Sequence, residues 1–391
     1  MKKLNILFLT SVDPNNKQSW SGITYYINLV IGRYHHTSWI GPLNIPKRYN
    51  RMVWLKERLD KILNRKFTVH SKINAYAFGK ALKPELKKRK FDLILAAAGE
   101  SELLACLPPN LPVVYVADST FSNMVDYYPW HTGLSSSALK QGNQVQELAI
   151  KKSLHIIFSS EWASDSAKTV YGAEAQKLSV LPFGANMETI PDKETVLNKA
   201  TSEICRLLFV GVDWERKGGN IAYLTLLELM ERGIKAHLTI IGCEPDIPQT
   251  DHITIIPFLD KTDPDQGMIY YEKLLNADFM ILPTRADCTP VVFSEAAAFG
   301  VPVITTNTGG ISSIIKQQIT GIMLSLEAKA PEFADAIERV WTDKKIFQEM
   351  VRNSRSEYDK RLNWEHWIRE FNRILERIVP ASENSEVFSA S

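Results

Sequence analysis

The stretch that decides the fold reads Leu282-Pro283-Thr284-Arg285-Ala286-Asp287-Cys288-Thr289-Pro290-Val291-Val292-Phe293-Ser294-Glu295, then Ala296-Ala297-Ala298-Phe299-Gly300-Val301-Pro302-Val303-Ile304-Thr305. An apolar run at 279–282 ends in a loop, a small apolar helix is expected at 293–299, and a second apolar run opens at 303. Strand, helix and strand in that order, with both strands apolar throughout, predict a βαβ unit in a parallel sheet covered on both faces. Two carboxylates lie eight positions apart in it, Asp287 in the loop and Glu295 one turn into the helix. An acid on so small and apolar a helix is costly to bury alone. Glu295 either pairs with a hidden base or accepts hydrogen bonds from ligand hydroxyls, and the second option suits a ribose.

The same grammar extends both ways. Upstream, strands are expected at 206–210, 237–241 and 253–256 with a helix at 220–231; downstream, 331–341, 345–362 and 364–378 are helical in pattern. The first half restarts it, with strands at 5–9, 93–96, 113–116, 155–159 and 178–181, a helix at 21–32 and a basic amphipathic helix at 48–66. The fold class is therefore α/β, with two Rossmann-like domains expected to face each other across a cleft. The expected boundaries are 1–190 for the first domain, 191–203 for a polar linker with no apolar period, and 204–360 for the second domain. A C-terminal helix over 361–381 is expected to cross back to the first domain, and 382–391 to form a flexible tail.

Composition excludes several classes. Of 391 residues, 45% are hydrophobic and 23% charged, ordinary globular values that rule out collagen-like and disordered chains. Cys106, Cys205, Cys243 and Cys288 form no C-x-x-C pair, and the eight histidines form no ligand spacing, so neither a disulfide scaffold nor a metal site is expected. A reducing cytoplasm fits. The apolar run at 4–9 is too short for a secretory or membrane segment and reads as a buried strand. Charge is unevenly spread: residues 1–200 carry 26 Lys and Arg against 16 Asp and Glu, whereas the rest carry 20 against 28. Residues 1–90 alone hold 19 basic residues against four acidic ones. That end favours an anionic partner. The helix within 47–66 mixes Arg48, Arg51, Lys56, Arg58, Lys61, Arg65 and Lys66 with Trp54, Leu55, Leu59, Ile62 and Leu63, as an interfacial helix on an anionic membrane surface would, although the same stripe could pack on the first sheet. No nucleic-acid partner is expected.

In doubly wound sheets, ligands sit beyond the carboxyl ends of strands, next to helix N-termini. The first such loop, 10–21, ends in Gly22, where backbone can approach a ligand or simply turn tightly. The absence of a G-x-G-x-x-G fingerprint there argues against a dehydrogenase. The second runs Gly211-Val212-Asp213-Trp214-Glu215-Arg216-Lys217-Gly218-Gly219: two adjacent cations before a Gly-Gly helix start, a good place for a diphosphate.

Residues 282–310, with the acid-x7-Glu spacing, Ala-Ala-Ala-Phe-Gly-Val-Pro-Val-Ile-Thr-Thr and a following Thr-Gly-Gly-Ile, resemble the donor-site signature of retaining glycosyltransferases of family 4, which have the GT-B fold. Residues 211–218 resemble that family's diphosphate loop, 181–186 its P-x-G-x-[DN] stretch and 358–364 its tail. The resemblance implies a nucleotide-diphosphate sugar as co-substrate, no other cofactor, no metal, and an acceptor saccharide or lipid. It assigns Glu295 to the nucleotide ribose, Asp287 to hydroxyls of the donor sugar, Lys217 to the diphosphate, and backbone N–H groups around Thr289, Pro290, Val291 and Val292 to the sugar and phosphate. Four departures stand out. Asp287 replaces the usual Glu, Val212 the usual Arg (leaving Arg216 as the second cation), and Ser313 a frequent Glu. Where many members carry a His near the reacting sugar, this chain reads Val116-Ala117-Asp118-Ser119-Thr120, so Asp118 is either the catalytic-site group or a helix cap. His131, in an aromatic loop, either stacks on an acceptor or packs. The expected activity is sugar transfer with retention. The alternatives are a sugar-nucleotide epimerase or hydrolase of the same plan, and a non-catalytic nucleotide-sugar-binding subunit.

Overall fold

The computed structural model describes residues 3–63, 65–66, 68–97, 100–199 and 202–379. The chain divides into two compact units, Met1–Leu181 with Ile368–Ser391, and Pro182–Trp367. Each is built on one parallel six-stranded sheet.

The first unit contains β1 (Asn5–Leu9), α1 (Ile23–Gly32), β2 (His36–Ile40), α2 (Lys47–Ile62), α3 (Lys72–Lys87), β3 (Leu93–Ala96), α4 (Ser101–Ala105), β4 (Val113–Ala117), α5 (Phe121–Met124), α6 (Ser136–Lys152), β5 (His155–Phe158), α7 (Glu161–Tyr171) and β6 (Leu178–Val180). Its strands lie in the order β2-β1-β3-β4-β5-β6. The run at 4–9 becomes the interior strand β1, next to the edge, with Ile6 to Leu9 buried. The edge strand β2 escaped the sequence reading because it has no apolar run: only Ile40 of His-Thr-Ser-Trp-Ile is buried. Chain order reverses between β1 and β3, which makes that crevice the switch point of the sheet.

The second unit contains α8 (Lys193–Leu197), β7 (Cys205–Val210), α9 (Gly219–Glu231), β8 (Ala236–Ile241), β9 (Ile253–Ile256), α10 (Pro264–Asn276), β10 (Phe279–Leu282), α11 (Val291–Ala298), β11 (Val303–Thr306), β12 (Gly321–Leu324), α12 (Ala330–Thr342) and α13 (Lys344–Arg361). Strand order is β12-β11-β10-β7-β8-β9, so its switch point lies between β7 and β10. Arg206 locks that junction from the amino side, gripping Asp278 with two guanidinium nitrogens at 2.9 and 3.0 Å.

Two sequence boundaries move. Residues 182–190 belong to the second unit because the Phe183 carbonyl accepts from Ser294 Oγ (2.8 Å), Ala185 donates its N–H to the Leu362 carbonyl (3.2 Å) and Asn186 accepts from Trp364 Nε1 (3.0 Å). The tract 191–203 is not a bare linker. It contains α8, capped by the Asp192 carboxylate on the Thr195 N–H, with Val196 fully buried and Lys199 Nζ bonded to the Phe299 carbonyl. A five-residue helix burying one side chain has no period to read. The last helix, α14 (Trp364–Ile378), starts in the second unit and from Ile368 belongs to the first, where Phe371 and Leu375 are buried and Asn372 meets His35 at 3.0 Å. The expected tail 382–391 lies outside the described residues. No helix among the described residues is long and apolar enough to cross a membrane.

Candidate functional site

At the second unit's switch point, the loops after β7 and β10 are stitched together by backbone. Arg285 donates its N–H to the Arg216 carbonyl (2.7 Å), and Thr284 Oγ1 donates to the same oxygen (3.3 Å). Gly218 makes this approach feasible: its φ is +73°, and a Cβ there would stand 2.0 Å from the Pro283 carbonyl oxygen. The result brings Lys217 and Asp287, seventy residues apart, into a direct ion pair with both side chains mostly buried. Arg216 points differently. Its Nε donates to Asp213 (3.1 Å) and its NH1 to the Ala286 carbonyl (2.9 Å), so it braces the two loops. Val212, at the position where the resemblance expected Arg, is 66% exposed.

Glu295 is wholly buried on α11. One of its oxygens accepts from Lys261 Nζ and the other from the Tyr270 hydroxyl, both at 2.6 Å. The hidden base left open by the sequence therefore exists, and it is Lys261, in the loop before α10, with its ammonium also 5.2 Å from the Tyr270 ring centroid. Burial first, and the Glu295 charge second, push the Tyr270 phenol well above its usual range, so it stays a donor to the carboxylate. Thr289 and Pro290 close the loop, Pro290 as the residue before α11; having no N–H, it leaves any amide contacts there to Thr289, Val291 and Val292.

The first unit's switch point has a different character. Glu100, just beyond β3, accepts from the Ser11 N–H at 2.5 Å and lies 3.4 Å from Thr10 Oγ1, both just beyond β1. Burial raises its carboxyl to about 8. Gly22 precedes α1 with φ +83°, in a left-handed turn shared with Trp20 and Ser21 (φ +48° and +55°). Asp118 does not cap a helix, since Thr120 caps α5; its Oδ2 accepts from Trp20 Nε1 at 3.2 Å. His131 packs against Phe121 and His70, and burial lowers it to about 4.

The sequence reading missed Lys261, Tyr270 and Glu100. The first two lie 34 and 25 residues before Glu295 in segments with no strand or helix expected. Glu100 follows a strand that was seen, but only the β1–β3 pairing makes it an edge acid.

Residues 205–343 match the family model described as glycosyl transferases group 1. The matched stretch runs from β7 through α12 of the second unit. The chain is 28% identical over 135 residues to the putative glycosyltransferase YtcC of Bacillus subtilis, a stretch covering 34% of this chain and 31% of YtcC. The match therefore spans about a third of that relative's length. Among solved structures, sucrose-phosphate synthase from Thermosynechococcus elongatus superposes with a TM-score of 0.67 at 18% identity, covering 97% of this chain and all of the other. Anabaena HepE, solved in complex with UDP-glucose, gives a TM-score of 0.60 at 16% identity, covering 96% of this chain and all of HepE. These likenesses show the GT-B fold.

Proposed function

We propose that this chain is a retaining, metal-independent family 4 glycosyltransferase that moves a sugar from a nucleotide-diphosphate sugar to an acceptor hydroxyl on a saccharide, a lipid or a small-molecule glycoside. The observation that carries this reading is the meeting of Lys217 and Asp287 at the β7–β10 switch point. The bond between the anomeric carbon and the diphosphate oxygen breaks, the acceptor oxygen bonds to that carbon on the same face, and the acceptor hydroxyl's proton passes to the departing diphosphate oxygen. Lys217 and the amino end of α9 offset the charge on the departing diphosphate, while Asp287 accepts from donor-sugar hydroxyls. Arg216 holds the loops in register. Glu295 receives the ribose when Lys261, half in solvent, swings off its carboxylate; each carboxylate oxygen has a second lone pair for a hydroxyl. The solved HepE complex with UDP-glucose supports a nucleotide-sugar donor for this fold. On this reading the protein works in the cytoplasm, peripherally at an anionic membrane surface reached through residues 47–66.

A nucleotide-sugar-binding subunit without turnover is the second reading, favoured by Asp118 being engaged with Trp20. Turnover of a nucleotide sugar by the pure chain separates the two. Donor binding itself is tested by calorimetry on Glu295→Ala: loss of a charge-assisted hydrogen bond weakens affinity by roughly 1.5–3 kcal/mol, about ten- to a hundredfold. Unchanged affinity in a folded variant would make Glu295 purely structural.

A further inference from the structure

The helix α2 is attached to its unit by little. Only Tyr49 is buried; Val53, Lys56 and Asp60 are half-covered, and with Tyr49 they follow one another at four-, three- and four-residue steps as the inner face. The anchor is Tyr49, edge-on to Tyr76 of α3 at 5.7 Å. Beside that inner face runs a second stripe, Met52, Leu55, Leu59 and Ile62, exposed by 43, 45, 57 and 71%, with Leu63 beyond it at 56%. The stripe therefore does not pack on the first sheet. Among the described residues, nothing in the interior of its own unit takes it.

Charge selects the occupant. Residues 47–66 carry eight basic side chains against Glu57 and Asp60, and Asp60 is already paired with Lys56 at 2.5 Å. A second copy pairing through this face would bring two strongly positive helices together, which opposes an isologous dimer. An anionic bilayer accepts both features at once: apolar side chains enter the acyl boundary while Lys and Arg snorkel to phosphates. The neighbouring surface continues the pattern. Lys72, Lys80, Lys83 and Lys87 form a row on α3 with Tyr76, the residue that touches α2, and all four are exposed. Lys66, just past α2, donates to the carbonyls of Pro129 (2.8 Å) and Thr132 (2.6 Å), tying the helix to the loop that presents Trp130, 55% exposed and stacked on Tyr128. Trp54, half-exposed under the Arg58 guanidinium at 5.3 Å, is a second amphipathic ring of the kind that settles at headgroup depth.

We propose that α2 is an in-plane membrane anchor: the Met52–Leu55–Leu59–Ile62 stripe enters an anionic leaflet, Trp54 and Trp130 sit at its headgroups, and the basic side chains of α2 and the α3 lysine row hold its phosphates. This deepens the peripheral-membrane reading above and rests on it. It adds which face is buried and which residues anchor.

The test is flotation of the full chain with vesicles of phosphatidylcholine alone or mixed with phosphatidylglycerol, at 50 and 500 mM salt. The wild type should float with the anionic vesicles at low salt only. Leu59→Glu with Ile62→Glu, both at exposed positions where the fold tolerates charge, should lower the bound fraction at least tenfold. Arg51→Gln, Arg58→Gln and Lys61→Gln together should weaken binding and flatten its salt dependence, and Trp130→Ala should cost a fewfold. Donor binding by calorimetry, unchanged in every variant, certifies the fold. A wild type that ignores anionic vesicles at 50 mM salt overturns the membrane reading and the anchor with it. A wild type that floats while the Leu59→Glu, Ile62→Glu variant floats equally well overturns the anchor alone, since another surface must then hold the membrane.

Discussion

The two switch points, one in each sheet, are built to the same plan and filled with opposite chemistry. Between β7 and β10 stand two formal charges, Lys217 and Asp287, compensating each other at the carboxyl edge. Between β1 and β3 stands Glu100, whose burial favours the uncharged form and whose partners are a hydroxyl and a backbone N–H. A crevice that keeps an ammonium suits a ligand rich in anionic oxygens; a crevice that keeps a neutral acid suits a ligand of hydroxyls, to which a carboxylic acid can both donate and accept. On the function proposed above, that difference would put the diphosphate on the second unit and an uncharged acceptor group on the first.

Removing the cation is the most damaging way to break that contrast. Lys217→Ala takes away the charge opposite the departing diphosphate and leaves Asp287 without its ammonium, so turnover should fall by roughly 10²–10³, the scale seen when one transition-state-stabilising donor is lost. Arg216→Ala removes a brace between loops that backbone bonds already join and should cost about tenfold or less. Steady-state rates with saturating donor decide this. Equal, small effects would place the diphosphate elsewhere.

The second prediction concerns the neutral acid. Glu100 is raised from 4.5 to about 8, so its contribution to stability is whole below 4.5 and is lost as pH rises through 8, the unfolded chain ionising first. His131 and His155, both lowered to about 4, act only below about 6.5, so the interval from 6.5 to 8 isolates the acid from them. Over it the wild type should lose about 2 kcal/mol relative to Glu100→Gln, which cannot ionise. The difference between the two proteins is what counts, because Lys199, lowered by burial to about 7, works in the opposite sense above pH 7. Urea unfolding at both pH values measures it, and parallel curves for the two proteins would mean that Glu100 is charged in the fold.

How much of this could be read from the chain alone follows from range. The strands β1, β3 and β10 were legible because each is an apolar run almost wholly buried, and the Asp287–Glu295 spacing was legible because it is local. The partners were not. Lys217 reaches Asp287 across 70 residues and Lys261 reaches Glu295 across 34, and only strand order brings those loops together. The edge strand β2 and the short α8 bury too few side chains to leave a period. The stripe on α2 was visible, but whether it faced the sheet or the outside is a tertiary fact.

The smallest effect, and the one that sharpens the comparison most finely, lies at Asp118. If this carboxylate acts on the reacting sugar, Asp118→Asn should cut kcat by about a hundredfold or more and Trp20→Phe should be nearly silent. The geometry favours the other outcome. Trp20 and Ser21 hold a left-handed backbone that non-glycine residues enter at a cost of about 1 kcal/mol or more each, immediately before Gly22 and α1, and the indole N–H to Asp118 at 3.2 Å is a bond that fixes this turn. Asn keeps an oxygen to accept that bond, so Asp118→Asn should be mild, whereas Asp118→Ala and Trp20→Phe should each cost about 1 kcal/mol in stability and raise the donor KM a fewfold with little change in kcat. Because both remove the same bond, the double variant Asp118→Ala, Trp20→Phe should cost less than the sum of the two, a coupling that two independent roles would not produce, while Asp118→Ala also releases the Ser119 hydroxyl that donates to its other oxygen at 3.2 Å.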